Sequence, residues 1–114
     1  AVAKDATAVP ANAALAMATI NGAKAMGLDA EIGSLETGKL ADLCAVDLSS
    51  INSMPLYDVV SQLIYSTQAS QVSHVWSSGE PLLYNGKLQT IDEQKLKQTT
   101  QEWQMRVKQT AGMA

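Results

Sequence analysis

A chain of 114 residues with 46 % hydrophobic and 17 % charged side chains has the composition of one soluble globular unit, not of a disordered segment. It is too short for a complete eight-stranded α/β barrel, which takes roughly 200 residues or more, and a net charge of −3 supplies no field for a phosphate backbone. No apolar run approaches the ~20 residues that span a bilayer, the first residues do not read as a secretory leader, and the lone Cys44 makes no intrachain disulfide. A cytoplasmic protein with no nucleic-acid or membrane partner is therefore expected.

In chain order, Pro10 to Met26 is rich in Ala, Leu and Met, which lose little entropy in a helix. Pro10 suits the first turn, and Gly27 followed by Leu28 suits a left-handed terminus with a hydrophobic lock. Thr19 and Asn21-Gly22 interrupt the run, and a Thr oxygen that caps a new turn predicts a break near Thr19. Gly33 and Gly38 bracket a polar loop. Leu40 to Leu48 is apolar on both sides of a period of two, as a strand covered on both faces would be.

Asp58 can cap a short helix that runs to about Ser66. Val72 to Ser77, Glu80 to Tyr84 and Lys87-Leu88, separated by Ser78-Gly79 and Asn85-Gly86, form a three-stranded meander, because both dipeptides tolerate the positive φ of a tight hairpin. Thr90-Ile91-Asp92-Glu93 reads as a capping box. Behind it Leu96, Thr99/Thr100, Trp103 and Val107 recur at helical spacing with Gln and Lys opposite, so an amphipathic helix must lie on something.

Chemistry-bearing residues are few. A catalytic zinc takes about three protein ligands and an open position, yet His74 and Cys44 exhaust the imidazoles and thiols. His74 alternates with Val72 and Trp76 and reads as a structural strand residue. Cys44, amid Leu43, Ala45 and Val46, has no basic neighbour to stabilise a thiolate and behaves as a small hydrophobe. Asp29 and Glu31 lie in a loop, and Asp92 and Glu93 open a helix, so neither pair converges as acid–base work requires. Gly33 and Gly38 lack the spacing and the following Lys-Ser or Lys-Thr of a phosphate loop. Trp76 and Trp103 each sit on an apolar face and are expected to pack. By composition and spacing alone the chain is an α+β unit with no catalytic, cofactor-binding or metal residue.

Word order adds what spacing lacks. DATAVPA (5–11), ALAMATINGAKAMGLDAEIGSLETGKLADLCAVDL (14–48), YDVVSQLIYS (57–66) and VSHVWSSGEPLLYNGKLQTID (72–92) together resemble the carboxy-terminal part of the amidohydrolases. MATINGAKAMGL followed by IGSLETGKLADL carries the superfamily likeness, and YDVVSQLIYS resembles the methylthioadenosine/S-adenosylhomocysteine deaminase branch. Thr37 and Val59 stand where that branch often has Pro.

The resemblance implies an α+β piece: residues 1–28 as the last helical layer of a (β/α)8 metal-dependent hydrolase barrel, and 29–91 as a segment of a composite β-sandwich with a short helix near 58–66. The three-stranded meander and one buried strand would belong to that segment, and 92–114 would be a carboxy-terminal amphipathic helix and tail. It implies a parent that deaminates methylthioadenosine, S-adenosylhomocysteine or related purines hydrolytically, with zinc or another divalent metal lowering the pKa of bound water. The family's ligands lie upstream of this stretch. Asp5 is not in the context of the metal-binding Asp, and His74 matches a sandwich strand, so no site residue carries over and the chain by itself is expected to be inactive. The partners implied are the upstream part of the parent and, only there, the purine nucleoside. The alternative is an autonomous interaction module that associates with a second copy through exposed strand edges.

Overall fold

Two short helices meet at a break where the sequence places one: α1 spans Ala11–Ala18 and α2 spans Ile20–Ala25 in the computed structural model, which describes residues 9–112. Expectations that concern residues 1–8, Asp5 among them, and the tail at 113–114 lie outside the described residues. Thr19 sits between the helices at φ −123° and ψ −98°. Its hydroxyl does not cap α2; it donates 2.7 Å back to the Leu15 carbonyl, so Thr19 ends α1 from behind and the capping role expected of it is corrected. The far end of α2 closes as expected. Gly27 is left-handed at φ +74°, the Leu28 N–H bonds the Ala23 carbonyl at 2.8 Å and the Gly27 N–H bonds that of Lys24 at 3.0 Å.

The loop that follows turns back under the helix junction. The backbone N–H groups of Glu31 and Ile32 bond Leu28 O, and that of Leu40 bonds Glu31 O at 2.8 Å. β1 is Leu43–Val46, shorter than the expected Leu40–Leu48. It is also an edge strand with Cys44 exposed, where a strand covered on both faces was expected. Asp42 limits it at one end: its N–H turns to Leu40 O and its carboxylate accepts from Ser78 N at 2.7 Å. At the other end Asp47 folds its carboxylate onto Ser49. The apolar pattern on both faces is real, but among the described residues no layer covers the Cys44 side.

α3, Val59–Tyr65, is the short helix that the Asp58 cap predicts, with Oδ1 accepting from Val60 N at 3.0 Å and Ser61 N at 3.3 Å. It packs against α1, and Tyr65 donates its hydroxyl to Val9 O at 2.9 Å. Short 3-10 turns at Ile51–Ser53 and Ala69–Gln71 carry no advance signal in the chain. Gln71 ties both to the strand end, donating to Asp47 O and to the buried Ser53 Oγ.

β2 (Val72–Ser77), β3 (Glu80–Tyr84) and β4 (Lys87–Leu88) form the expected meander, and β1 adds to it through β2. The sheet is antiparallel in the order β1-β2-β3-β4, with Leu43 opposite Trp76 and Leu83 opposite Leu88. Both hairpins have two left-handed residues in succession, Ser78-Gly79 and Asn85-Gly86, whose twist matches that of paired strands.

α4, Glu93–Thr110, is the longest element. Its N-cap is Asp92, whose carboxylate accepts from Lys95 N at 3.1 Å; the Thr90/Glu93 box expected there does not form. A carboxylate placed directly at the free N–H groups is the stronger acceptor, because it also meets the positive end of the helix dipole. Asp92→Ala is therefore expected to cost about 1 kcal/mol and reduce the helical circular dichroism signal, with Thr90→Ala near neutral.

Little of this chain is enclosed. Ala23 and Ser53, each 2 % exposed, are the buried residues among those described, and every residue of α4 is exposed. The radius of gyration is 19.3 Å, against ~13 Å for a compact domain of this length. The accessible surface is 8926 Å², against about 6,000 Å² for a monomer of this mass.

Candidate functional site

The half-buried face of the sheet holds an aromatic cluster. His74 stacks on Trp76 with ring centroids 5.3 Å apart and planes at 12°, and meets Tyr84 edge-on at 4.7 Å. Its Nδ1 lies 2.8 Å from Ser73 Oγ. The geometry follows from strand alternation: His74 and Trp76 point the same way from β2. His74 pairs across with Ala45, whereas Cys44 pairs with Val75, so His74 and Cys44 project from opposite faces. The two strongest soft-metal donors of the described chain cannot close on one ion.

The carboxylates are equally dispersed. Asp58 and Asp92 cap α3 and α4, Asp42 holds Ser78, and Asp47 accepts from Ser49. The hydroxyl and backbone N–H of Ser49 hold the Asp47 carboxyl below the usual range. Asp29 and Glu31 stay in an exposed loop. Among the described residues no group of three or more His, Cys, Asp or Glu side chains could hold a metal ion. The donor set does not fit the zinc that the resemblance implies for a parent protein.

One polar cluster was missed by the sequence reading. Lys39, its side chain 12 % exposed, folds back over the Gly33–Gly38 loop and donates to Ser34 Oγ at 2.7 Å, with a longer contact to Ile32 O at 3.4 Å. Ser34 in turn donates to Glu36, and Lys39 Nζ lies 3.3 Å from the same carboxylate. The Ser34 hydroxyl first, then Lys39 by hydrogen bond and by charge, hold the Glu36 carboxyl below its ordinary value. A lysine beside a serine resembles a nucleophile with its base, but here Lys39 donates to the Ser34 oxygen and the Ser34 hydroxyl donates to Glu36, so the pair is arranged as a hydrogen-bonded chain closed on the loop itself. The cluster is a clasp that shapes the loop. Its signal was the polar spacing 34, 36 and 39, which reads as an ordinary turn until the chain closes.

Beside the clasp lies an open apolar concavity of about 540 Å³ between the α1–α2 junction, residues 32–35 and the β1–β2 edge. Met26, Ile32, Leu35, Leu43, Val75 and Trp76 are among its walls. Gly33 forms its floor: a Cβ there would stand 2.7 Å from Ala23 Cβ and 3.0 Å from Ile20 Cα. Asp42, Thr19, Ser34 and Ser77 also line it, but the Asp42 carboxylate is engaged by the Ser78 N–H and Ser34 by the clasp, so the concavity offers chiefly an apolar packing surface.

Comparison with known proteins gives the family. The description of the amidohydrolase family matches residues 1–82. The 5-methylthioadenosine/S-adenosylhomocysteine deaminase of Teredinibacter turnerae is 44 % identical over 102 residues, which are 90 % of this chain and 23 % of that protein. The enzyme of the same name from Moorella thermoacetica is 46 % identical over 92 residues, 81 % of this chain and 22 % of its own length. Among solved structures, a zinc-bound adenosine deaminase from Xanthomonas campestris superposes with a TM-score of 0.85 at 44 % identity, covering 95 % of this chain and 25 % of that one. An atrazine chlorohydrolase from Arthrobacter aurescens, also with zinc, gives 0.74 at 26 % identity, over 82 % of this chain and 20 % of its own. The chain thus spans about a quarter or less of the length of these relatives. With residues 1–82 matched by the family description and 44 % identity to a named member over 90 % of its length, the chain belongs to the amidohydrolase family.

Proposed function

We propose that this chain is the carboxy-terminal structural portion of a metal-dependent hydrolytic deaminase acting on methylthioadenosine, S-adenosylhomocysteine or a related purine nucleoside, and that it is inactive by itself. The observation that carries the reading is a coincidence of two facts. Relatives bearing the deaminase name contain this stretch as about a quarter of their length, and the chain exposes some 8926 Å² of surface, far above that of a self-contained domain. In this reading residues 1–28 complete a barrel wall, 29–91 belong to a composite β-sandwich and 92–114 close the end of the protein.

The chain's own residues supply shape: the Lys39 clasp and the Gly33 floor fix the concavity, and the His74–Trp76–Tyr84 cluster stiffens the sheet. Zinc or another divalent ion, with its ligands, belongs to the upstream portion of the parent, where it would activate the attacking water. The setting is cytoplasmic; no helix of the described residues is long and apolar enough to cross a membrane. The alternative of an autonomous module gains no support from these relatives, which carry the stretch inside a longer chain.

The test uses the longer reading frame and this chain side by side. Purified parent protein is expected to contain tightly bound divalent metal and to release ammonia from methylthioadenosine, and the 114-residue chain is expected to do neither. Deamination by the isolated chain overturns the claim of inactivity, and a parent that leaves purine nucleosides unchanged overturns the substrate class.

A further inference from the structure

We infer that α4 is a clamp: its Leu96–Trp103–Val107 stripe seats in an apolar groove with an acidic rim, presented by the upstream portion of the same parent polypeptide. The inference rests on the reading of the chain as part of a longer protein, and it names the chemistry of the surface that α4 meets.

Three observations carry it. Leu96, Trp103 and Val107 share one face of the helix, yet each is more than half exposed and no residue of α4 is buried. Such a face is costly to leave in water. Second, α4 falls within the stretch shared with a solved relative although none of its residues is buried by this chain. The superposition on the Xanthomonas structure leaves only 5 % of the chain uncovered, too little to omit an 18-residue helix. A helix that buries nothing in its own chain but stands at the same place in a solved relative is held by polypeptide outside this stretch, and about three quarters of that relative lies outside it.

Third, the charges select the partner. At helical spacing Lys95 and Arg106 flank one side of the stripe and Lys97 and Lys108 the other. Glu93 belongs to the first turn and Glu102 lies behind Arg106. Arg106 also rests its guanidinium 5.2 Å from the Trp103 ring centroid, so the cation borders the apolar patch directly. Pairing α4 with the α4 of a second copy would set these cationic flanks against each other, whereas an acidic rim complements both at once.

The experiment uses the full-length parent. Leu96→Asp and Trp103→Ala are expected to lower its melting midpoint by about 5 °C or more with no change in light-scattering mass, while Met105→Asp on the opposite face leaves both unchanged. Lys97→Glu with Lys108→Glu is expected to lower the midpoint at low salt, by an amount that shrinks at high salt. Trp103 emission, taken as the difference between the parent and its Trp103→Phe variant, is expected to resist iodide quenching in the parent and to be freely quenched in the 114-residue chain.

A mass halved by the stripe variants overturns the proposal in favour of a subunit contact. An unshifted midpoint, or equal quenching in parent and isolated chain, overturns it in favour of a helix that stays in water. A midpoint raised by the charge reversals overturns the acidic rim. Activity enters none of these readouts, so the clamp can stand where the deaminase reading falls, and the reverse.

Discussion

Gly33→Ala is expected to destabilise the protein by about 2–5 kcal/mol, whereas Gly38→Ala is expected to cost only about 1–2 kcal/mol. Both glycines have nearly the same left-handed backbone, φ +95° and +93°, so both substitutions incur the conformational strain of placing a Cβ there. They differ in what the Cβ would meet. At Gly38 nothing lies within 4 Å. At Gly33 the new methyl would stand 2.7 Å from Ala23 Cβ, 3.0 Å from Ile20 Cα and 3.2 Å from Thr19 O. Two of these atoms are backbone at the α1–α2 junction, which cannot swing aside as a side chain would, and the third belongs to the buried Ala23. The loop must lift from the helices, which opens the floor of the apolar concavity. Urea unfolding of the two variants side by side isolates the close-approach contribution, because the strain is common to both. Equal losses would show that Gly33 is needed for its dihedral alone.

Lys39→Met is expected to cost about 1–3 kcal/mol, because it leaves the half-buried Ser34 hydroxyl and Ile32 carbonyl without their ammonium donor. The exposed ion pair with Glu36 contributes little to that figure, since water screens it. Glu36 instead gives the clasp a pH signature. Its folded pKa lies below the ordinary value of 4.5, so the unfolded chain takes up its proton first as pH falls. The stability it contributes is complete above about pH 5 and is lost as pH drops through the lowered folded pKa. Stability compared at pH 6 and pH 3 is expected to fall less steeply in Glu36→Gln than in the unaltered chain. An identical slope in both would mean that the clasp does not form in solution.

The corrections share one cause. Leu40 to Leu48 has the pattern of a strand covered on both sides, and the pattern describes what those residues are built to meet; in this chain β1 forms from Leu43 to Val46 and lies at an edge. Trp103 was expected to pack, because it lies on an apolar stripe, and here it is 58 % exposed. Amphipathic periodicity shows that a face must be covered without naming the element that covers it. Thr90 lost the cap of α4 to Asp92 for a local reason: both fit a capping motif, and the choice depends on where the chain leaves β4, which no spacing records.

By itself the amino-acid order determined the features that depend on a few neighbouring residues. These were the break at Thr19, the left-handed stop at Gly27, the Asp58 cap and the two hairpins at Ser78-Gly79 and Asn85-Gly86. It also carried the family likeness through the words at 17–28 and 32–43. Only the tertiary structure decided that β1 joins the meander through β2 and that His74 and Cys44 face apart. It alone revealed that Gly33 must lie against Ala23. The physical reason is range: caps and hairpin turns are closed by groups two to five residues apart, whereas strand order and the meeting of a loop with a helix junction depend on how distant segments share space. The apolar faces of β1 and α4 lie one level further out, because no element among the described residues covers them.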